Sequence, residues 1–185
     1  MPTVIEERFL RFEFSDDWLA VKYDDHPDYR ERIGGLRETK AIDLVATFRR
    51  NRHTLHFIEV KDFRGHRIEN RERIRDGELA VEVAQKVRDT IAGIIAAHHR
   101  GKAETWGPHA QCLVTPDRPV KVVLWLEEDL PHIPPGRPQN RASVLTDALK
   151  RELRWLTTKV LVLNIASGSL DGLGVTNLPG AGHQP

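Results

Sequence analysis

The chain has 185 residues, a length that suits one domain, and it carries 28 lysines and arginines against 27 aspartates and glutamates. The resulting net charge of +1 argues against a uniformly basic nucleic-acid-binding surface and against a polybasic membrane module. The single cysteine, Cys112, excludes an internal disulfide framework and a multi-cysteine zinc site.

The hydrophobic pattern contains no run of the roughly 20 apolar residues that a membrane-spanning helix needs. Charged residues already occur within the first dozen positions, which is unlike a signal peptide. We therefore expect a cytoplasmic protein with no membrane association. Positive charge is distributed unevenly, because residues 1–48 sum to −4, residues 49–75 to +5 and residues 76–185 to zero.

In the first half of the chain, alternation of apolar residues predicts a strand over residues 8–14. Residues 18–33 show a mixed pattern with a proline, and we expect them to be irregular or partly helical. Two further strands are predicted over residues 39–48 and 54–61, and the polar residues 49–53 between them indicate a hairpin loop.

In the second half, apolar residues repeat every four positions and predict a long helix from about residue 78 to 99. A short segment is indicated at 110–114, followed by a buried strand at 120–127, a helix at 142–157 and a strand at 159–166. This order predicts an α/β fold with a central mixed sheet flanked by helices. We expect one domain over residues 1–185, with a loosely ordered, flexible tail from about residue 172.

The most informative pattern lies on the predicted hairpin. Glu59 and Lys61 share one strand face with Leu55 and Phe57, so the two charges continue an apolar face. If the hairpin turns about residue 51, Asp43 lies opposite Glu59 with the two Cβ atoms roughly 5 Å apart. Two carboxylates that close repel each other unless a proton or a cation lies between them. Oxygen ligands of this kind suit Mg²⁺, and a nearby lysine is suited to phosphodiester hydrolysis.

The segment from Asp43 to the tripeptide Glu59-Val60-Lys61 resembles the PD-(D/E)XK nuclease superfamily, which includes restriction endonucleases, junction resolvases and repair exonucleases. The resemblance covers residues 40 to about 100 and implies a restriction-endonuclease-like core that hydrolyses DNA. It implies that Asp43, Glu59 and the backbone carbonyl of Val60 bind Mg²⁺, for which Mn²⁺ can substitute. It also implies that Lys61 orients the attacking water, and that such a domain works as a homodimer or with a partner subunit.

The chain departs from the family pattern at several positions. Ile42 stands where the nominal proline precedes the aspartate. Many members carry an upstream glutamate on a helix, for which Glu13 and Glu38 are the candidates here. In some relatives a glutamine on the following helix touches the site and a tyrosine follows four residues later. Gln85 fits the first position and is expected to support catalysis, whereas Asp89 replaces the tyrosine.

The basic segment on both sides of the carboxylates is a candidate for phosphate contacts. The residues expected to bind nucleic acid are Arg49, Arg52, Arg64 and Arg67. The alternative is an ordinary solvated run of charges. Likewise, Glu59 and Lys61 could form a plain surface ion pair, which contributes little to stability.

The sequence thus favours a Mg²⁺-dependent nuclease acting on DNA. The alternative from another class is a nuclease-fold binding or scaffold subunit, without activity, in a nucleic-acid-handling or defence assembly. RNA is a weaker alternative substrate.

Overall fold

The computed structural model describes residues 2–50, 52–65, 72–129 and 141–180. Its strands are β1 (Thr3–Glu7), β2 (Leu10–Phe14), β3 (Trp18–Lys22), β4 (Leu44–Phe48), β5 (Thr54–Asp62), β6 (Val120–Glu127), β7 (Val160–Leu163) and β8 (Leu173–Asn177). Its helices are α1 (Pro27–Arg30), α2 (Glu78–His99), α3 (Ala103–Val114) and α4 (Arg141–Leu153), with a short 3-10 turn at Ile33–Gly35. The prediction of an α/β fold with helices beside a mixed sheet is confirmed.

The central sheet has five strands in the order β3-β4-β5-β6-β7. The β3-β4 and β4-β5 pairs are antiparallel, whereas the β5-β6 and β6-β7 pairs are parallel. Helices α2 and α3 lie between β5 and β6 in the chain, and α4 lies between β6 and β7, as parallel pairing requires a crossover. Strand β5 is therefore the point at which an antiparallel hairpin joins a parallel unit.

The two faces of the central sheet are covered by different layers. Leu55 and Phe57 of β5 belong to a core shared with α2, α3 and α4. Ile58 and Val60, on the opposite face of β5, pack with a second, three-stranded sheet of order β1-β2-β8. Both faces of β5 are therefore covered, and its residues from Thr54 to Val60 are buried.

Helix α2 matches the predicted bounds. It turns a continuous stripe toward the core that includes Leu79, Val83, Val87 and Thr90. Such a stripe is typical of a helix packed along one side of a sheet. The helix lies over the face of β5 that carries Glu59 and Lys61, and it therefore supplies the other wall of any site there.

Several segments differ from the sequence-based expectation, among them β1, which was not predicted, and residues 39–43, which precede β4 although a strand was expected from residue 39. Residues 18–22 form strand β3, although only Trp18 is buried and the pattern gave no clear period. Residues 173–177, expected to begin a loose tail, form β8 and pair with β2. Residues 103–114 form a full helix with Pro108 inside it, longer than the short segment expected at 110–114. In each case contacts with distant parts of the chain outweigh a weak local signal.

Across the described residues, no helix is both long enough and apolar enough to cross a membrane.

Candidate functional site

The β4-β5 hairpin brings Asp43 beside β5. Leu44 pairs with Ile58, which is the predicted register and places Asp43 opposite Glu59. Asp43 directly precedes β4, and its Oδ2 atom accepts a hydrogen bond of 2.6 Å from the backbone N–H of Val60. The carboxylate thus accepts the hydrogen bond that a backbone carbonyl of a neighbouring strand would otherwise accept from this amide. The hydrogen bond fixes Asp43 against β5.

Glu59 is fully buried, with 0% of its surface exposed. Its Oε1 atom lies 2.6 Å from the Lys86 ammonium and 2.9 Å from the Lys61 ammonium. Its Oε2 atom, also buried, has no hydrogen-bond partner among the described residues. Burial, with the nearby Asp43 carboxylate adding to it, raises the pKa of Glu59 to about 7, against the opposing effect of both lysines. One lone-pair face of a buried carboxylate therefore stays available for a ligand.

These groups belong to a longer chain of charges that alternate in sign. The members, in order, are Asp43, Lys86, Glu59, Lys61, Glu82 and Arg73. Lys61 reaches Glu82 at 2.9 Å, and Arg73 reaches the other oxygen of Glu82 at 2.6 Å. Burial alone would raise the pKa of Glu82, but its hydrogen bond with Lys61 lowers it, so Glu82 is anionic at neutral pH.

Helix α2 contributes Lys86, which sequence reasoning missed, in place of Gln85. The Gln85 side chain donates to the backbone carbonyl of Glu38 at 3.0 Å, away from the carboxylate pair. Successive helix positions differ by about 100°, so a residue next to Gln85 faces another direction. Lys86 follows Leu79 by seven positions and therefore lies beside the buried stripe. A lysine at the helical spacing of the core residues was the signal that could have found it.

A second set of carboxylates meets Asp43 from the other side. Oxygen atoms of Glu7, Asp24 and Asp43 lie within 4.8 Å of one another. Burial and the charge of Asp43 raise the pKa of Asp24 to about 6. Glu7 ends β1 and Asp24 follows β3, so the group depends on strands that the sequence did not predict. Asp43 is common to this group and to the pair with Glu59.

The expected upstream glutamates lie elsewhere. Glu13 is on β2, where it pairs with Arg11 at 2.8 Å. Glu38 has an exposed side chain beside Arg37. The acidic groups that approach Asp43 from the amino-terminal part of the chain are Glu7 and Asp24 instead.

Two of the arginines expected to bind nucleic acid, Arg49 and Arg52, flank the hairpin turn, away from the carboxylates. Arg52 precedes Glu59 by seven residues, which corresponds to about 23 Å in a strand. Arg64 lies nearer the site but donates to Asp62 at 2.8 Å and to Asn177 at 2.6 Å. Arg67 lies outside the described residues. Nucleic-acid binding by the four arginines stays a prediction. Arg49 and Arg52 are close to Glu59 in sequence, but they do not share a surface with it.

A surface groove of about 360 Å³ opens next to the end of the charge chain. Lys40 and Arg73 line it together with three acidic residues, Asp76, Glu78 and Glu82, the last of which Lys61 contacts. The groove brings solvent to the outer end of the buried site, between side chains of both signs of charge.

The donor set fits a hard divalent cation. Asp43 and Glu59 offer carboxylate oxygens, and the buried Oε2 of Glu59 has no partner within the described part of the chain. Sulfur and imidazole ligands are absent from the pair and from the Glu7–Asp24 group, which argues against a softer metal.

Comparison of the chain with protein-family models, with curated proteins and with solved structures finds no match to any of them. The fold is α/β, with a five-stranded mixed sheet flanked by helices and a second sheet of three strands.

Proposed function

We propose that this protein is a metal-dependent nuclease that hydrolyses DNA phosphodiester bonds through a restriction-endonuclease-like core. The observation that carries the proposal is Glu59, a buried carboxylate held opposite Asp43 and in contact with Lys61, with one oxygen that has no partner among the described residues. Burial of like charges is costly, and a cation shared by both carboxylates offsets that cost. The arrangement combines a carboxylate pair with a lysine, as the resemblance to PD-(D/E)XK nucleases implies.

The roles of the residues follow from their positions. Asp43, Glu59 and the Val60 carbonyl would hold Mg²⁺, with Mn²⁺ as a substitute. When bound, the metal polarises the phosphate and lowers the pKa of a coordinated water. Lys61 would hold the attacking water and stabilise negative charge on the phosphate oxygens. Glu82, on α2, contacts the Lys61 ammonium and fixes its direction. Gln85 contacts a backbone carbonyl instead, so we assign it no direct part.

The test is cleavage of linear, circular and branched DNA, and of matching RNA, with and without Mn²⁺. We expect metal-dependent cleavage of DNA that Lys61→Ala abolishes while folding and DNA affinity stay nearly intact. The control is Lys159→Ala, which removes an exposed lysine at the far end of β7 and is expected to cleave as wild type does. Unchanged cleavage by Lys61→Ala contradicts the catalytic role of Lys61. Cleavage confined to RNA would make RNA the substrate in place of DNA.

A second candidate function is a scaffold subunit without activity. The observation in its favour is that Lys86 and Lys61 both contact Glu59, so the two lysines partly neutralise the acidic pair without any metal. Calorimetric titration distinguishes the two functions. A nuclease site binds Mg²⁺ or Mn²⁺ and loses the binding in Asp43→Ala, whereas a scaffold releases or absorbs no heat of binding in either protein.

A further inference from the structure

We propose that Lys86 is a built-in cation that competes with the divalent metal for Asp43 and Glu59 and thereby sets the metal affinity of the site. This inference rests on the proposed function, because it concerns the same two carboxylates. Lys86 would be a positioning residue that acts through the metal ligands and has no contact with the scissile phosphate.

The first support is the position of the Lys86 ammonium. It lies 2.6 Å from Glu59 Oε1 and 3.6 Å from Asp43 Oδ1, so it contacts both carboxylates that the metal would share. A divalent ion placed between those carboxylates would lie within a few ångströms of this positive charge. The two positive charges repel each other at such a distance even when water screens them strongly.

The second support is the local concentration of this ammonium. Only 15% of the Lys86 side chain is exposed, and its backbone belongs to a helix that packs on the sheet through Leu79 and Val83. The ammonium therefore remains at the carboxylates at every protein concentration, as a tethered ligand does. A metal must displace this group, whereas an ordinary surface lysine would move aside without loss.

The third support is an alternative partner for the displaced ammonium. Glu82 precedes Lys86 by four positions on α2, a spacing at which side chains on a helix meet. Glu82 already contributes to the charge field around Lys86. The four-carbon stem of lysine lets the ammonium move from Glu59 toward Glu82 without a change in the helix. A metal-loaded site and a lysine-filled site then differ by one side-chain movement.

A purely structural role for Lys86 predicts the opposite change in metal affinity when Lys86 is removed. If Lys86 merely keeps Glu59 in place, its removal weakens metal binding. If it competes, its removal strengthens metal binding. Lys86→Met is the decisive change because methionine keeps much of the apolar stem and removes the charge. Lys86→Gln is the second variant, which retains a hydrogen-bond donor and serves if the methionine variant does not fold.

The experiment is titration of Mn²⁺ into wild type, Lys86→Met, Lys86→Gln and Lys121→Met, followed by calorimetry at one pH. Lys121 lies on β6 opposite His56, toward the other end of β5. Lys121→Met therefore removes an equal charge at a position away from the site. We expect both Lys86 variants to bind Mn²⁺ about tenfold more tightly than wild type, and Lys121→Met to bind as wild type does.

Equal or weaker binding by the Lys86 variants, with wild type binding Mn²⁺, overturns this inference and leaves the proposed function standing. Absence of binding in wild type and in both Lys86 variants overturns both. Equal tightening in Lys121→Met shows an effect of net charge alone and also overturns the competition.

Discussion

Buried polar side chains lie toward both ends of the β4-β5 hairpin, and they differ in kind. At one end, Asp43 and Glu59 meet two lysines, and one carboxylate oxygen keeps no partner among the described residues. Toward the other end lie two separate histidines, His56 on the face packed against Trp18 and His109 on the face covered by α3. They are 3% and 1% exposed, and burial lowers the pKa of each to about 4, so both are neutral at pH 7.

Each of the two neutral histidines has partners on its own face of the hairpin. Thr47 and His109 share a hydrogen bond of 2.8 Å, and His56 Nδ1 lies 3.2 Å from the carbonyl of Thr54. Trp18 packs against His56 with ring centroids 4.8 Å apart. Buried neutral groups with partners are compatible with a stable core.

The charged cluster is harder to explain by stability. Placing ionised groups in the interior costs several kcal/mol per ion before pairing offsets it, and apolar side chains of similar volume often fold as well or better. The same hairpin therefore carries one end that suits the core and one end that suits a ligand. The following predictions test that division, in order of decreasing expected effect.

Asp43→Asn has the largest expected effect on activity. The asparagine oxygen can still accept from Val60 N–H, so the hairpin contact is kept while the charge that would bind the metal is lost. We expect metal-dependent DNA cleavage to fall by about a thousandfold or more, with thermal stability close to that of wild type. A rate of cleavage near that of wild type in the folded variant contradicts the assignment of Asp43 as a metal ligand.

His109→Ala has the largest expected effect on stability. It leaves a cavity against Trp106 and removes the partner of the Thr47 hydroxyl. We expect the free energy of unfolding to fall by about 2–4 kcal/mol in urea denaturation. Metal binding should be unchanged because His109 lies toward the other end of the hairpin. Loss of metal binding in a folded His109→Ala protein would show that the two ends are coupled.

The two ends should respond to pH in opposite directions. Folded His56 and His109 bind a proton near pH 4 rather than near 6.5, so acid favours the unfolded chain. Their contribution to stability is lost as pH falls from about 6.5 to about 4, by up to about 1.4 kcal/mol per pH unit for each histidine. Denaturation of wild type and His109→Ala over this range should show a shallower fall in the variant.

Glu59 is expected to make the free energy of unfolding change with pH in the opposite direction. Its pKa is raised from 4.5 to about 7 in the fold, so protonation between these values favours the folded state. Glu59→Gln removes this titrating group, and the metal-free variant should therefore lose more stability on acidification from pH 7 to 4.5 than wild type does. An identical pH slope for both proteins contradicts the raised pKa of this carboxyl.

Gln85→Ala has the smallest expected effect. Its side chain contacts the carbonyl of Glu38 at the surface. We expect a change in stability within about 0.5 kcal/mol and a cleavage rate close to that of wild type. A large loss of cleavage without loss of stability would restore the direct role that the resemblance implied for Gln85.

Much of the fold could be predicted where the signal is local. The four-residue repeat located α2, the unbroken apolar run located β6, and the hairpin register placed Asp43 opposite Glu59. These features depend on periodicity and on the length of one loop. Such quantities are properties of short stretches of sequence.

The remaining parts depend on contacts between distant segments. Strand β3 is specified by its pairing with β4, and β8 by its pairing with β2 across most of the chain. Without β1 and β3, the approach of Glu7 and Asp24 to Asp43 could not be predicted. Lys86 could not be predicted for a different reason, because its contacts with Asp43 and Glu59 depend on how α2 lies over β5.

The most direct test of the central claim is calorimetric titration of Mn²⁺ into the wild-type protein and into Asp43→Asn. The account predicts saturable binding to wild type that is lost in Asp43→Asn while both proteins remain folded. Absence of binding to folded wild type, or equal binding to both proteins, would contradict the claim that Asp43 and Glu59 form a divalent-metal site.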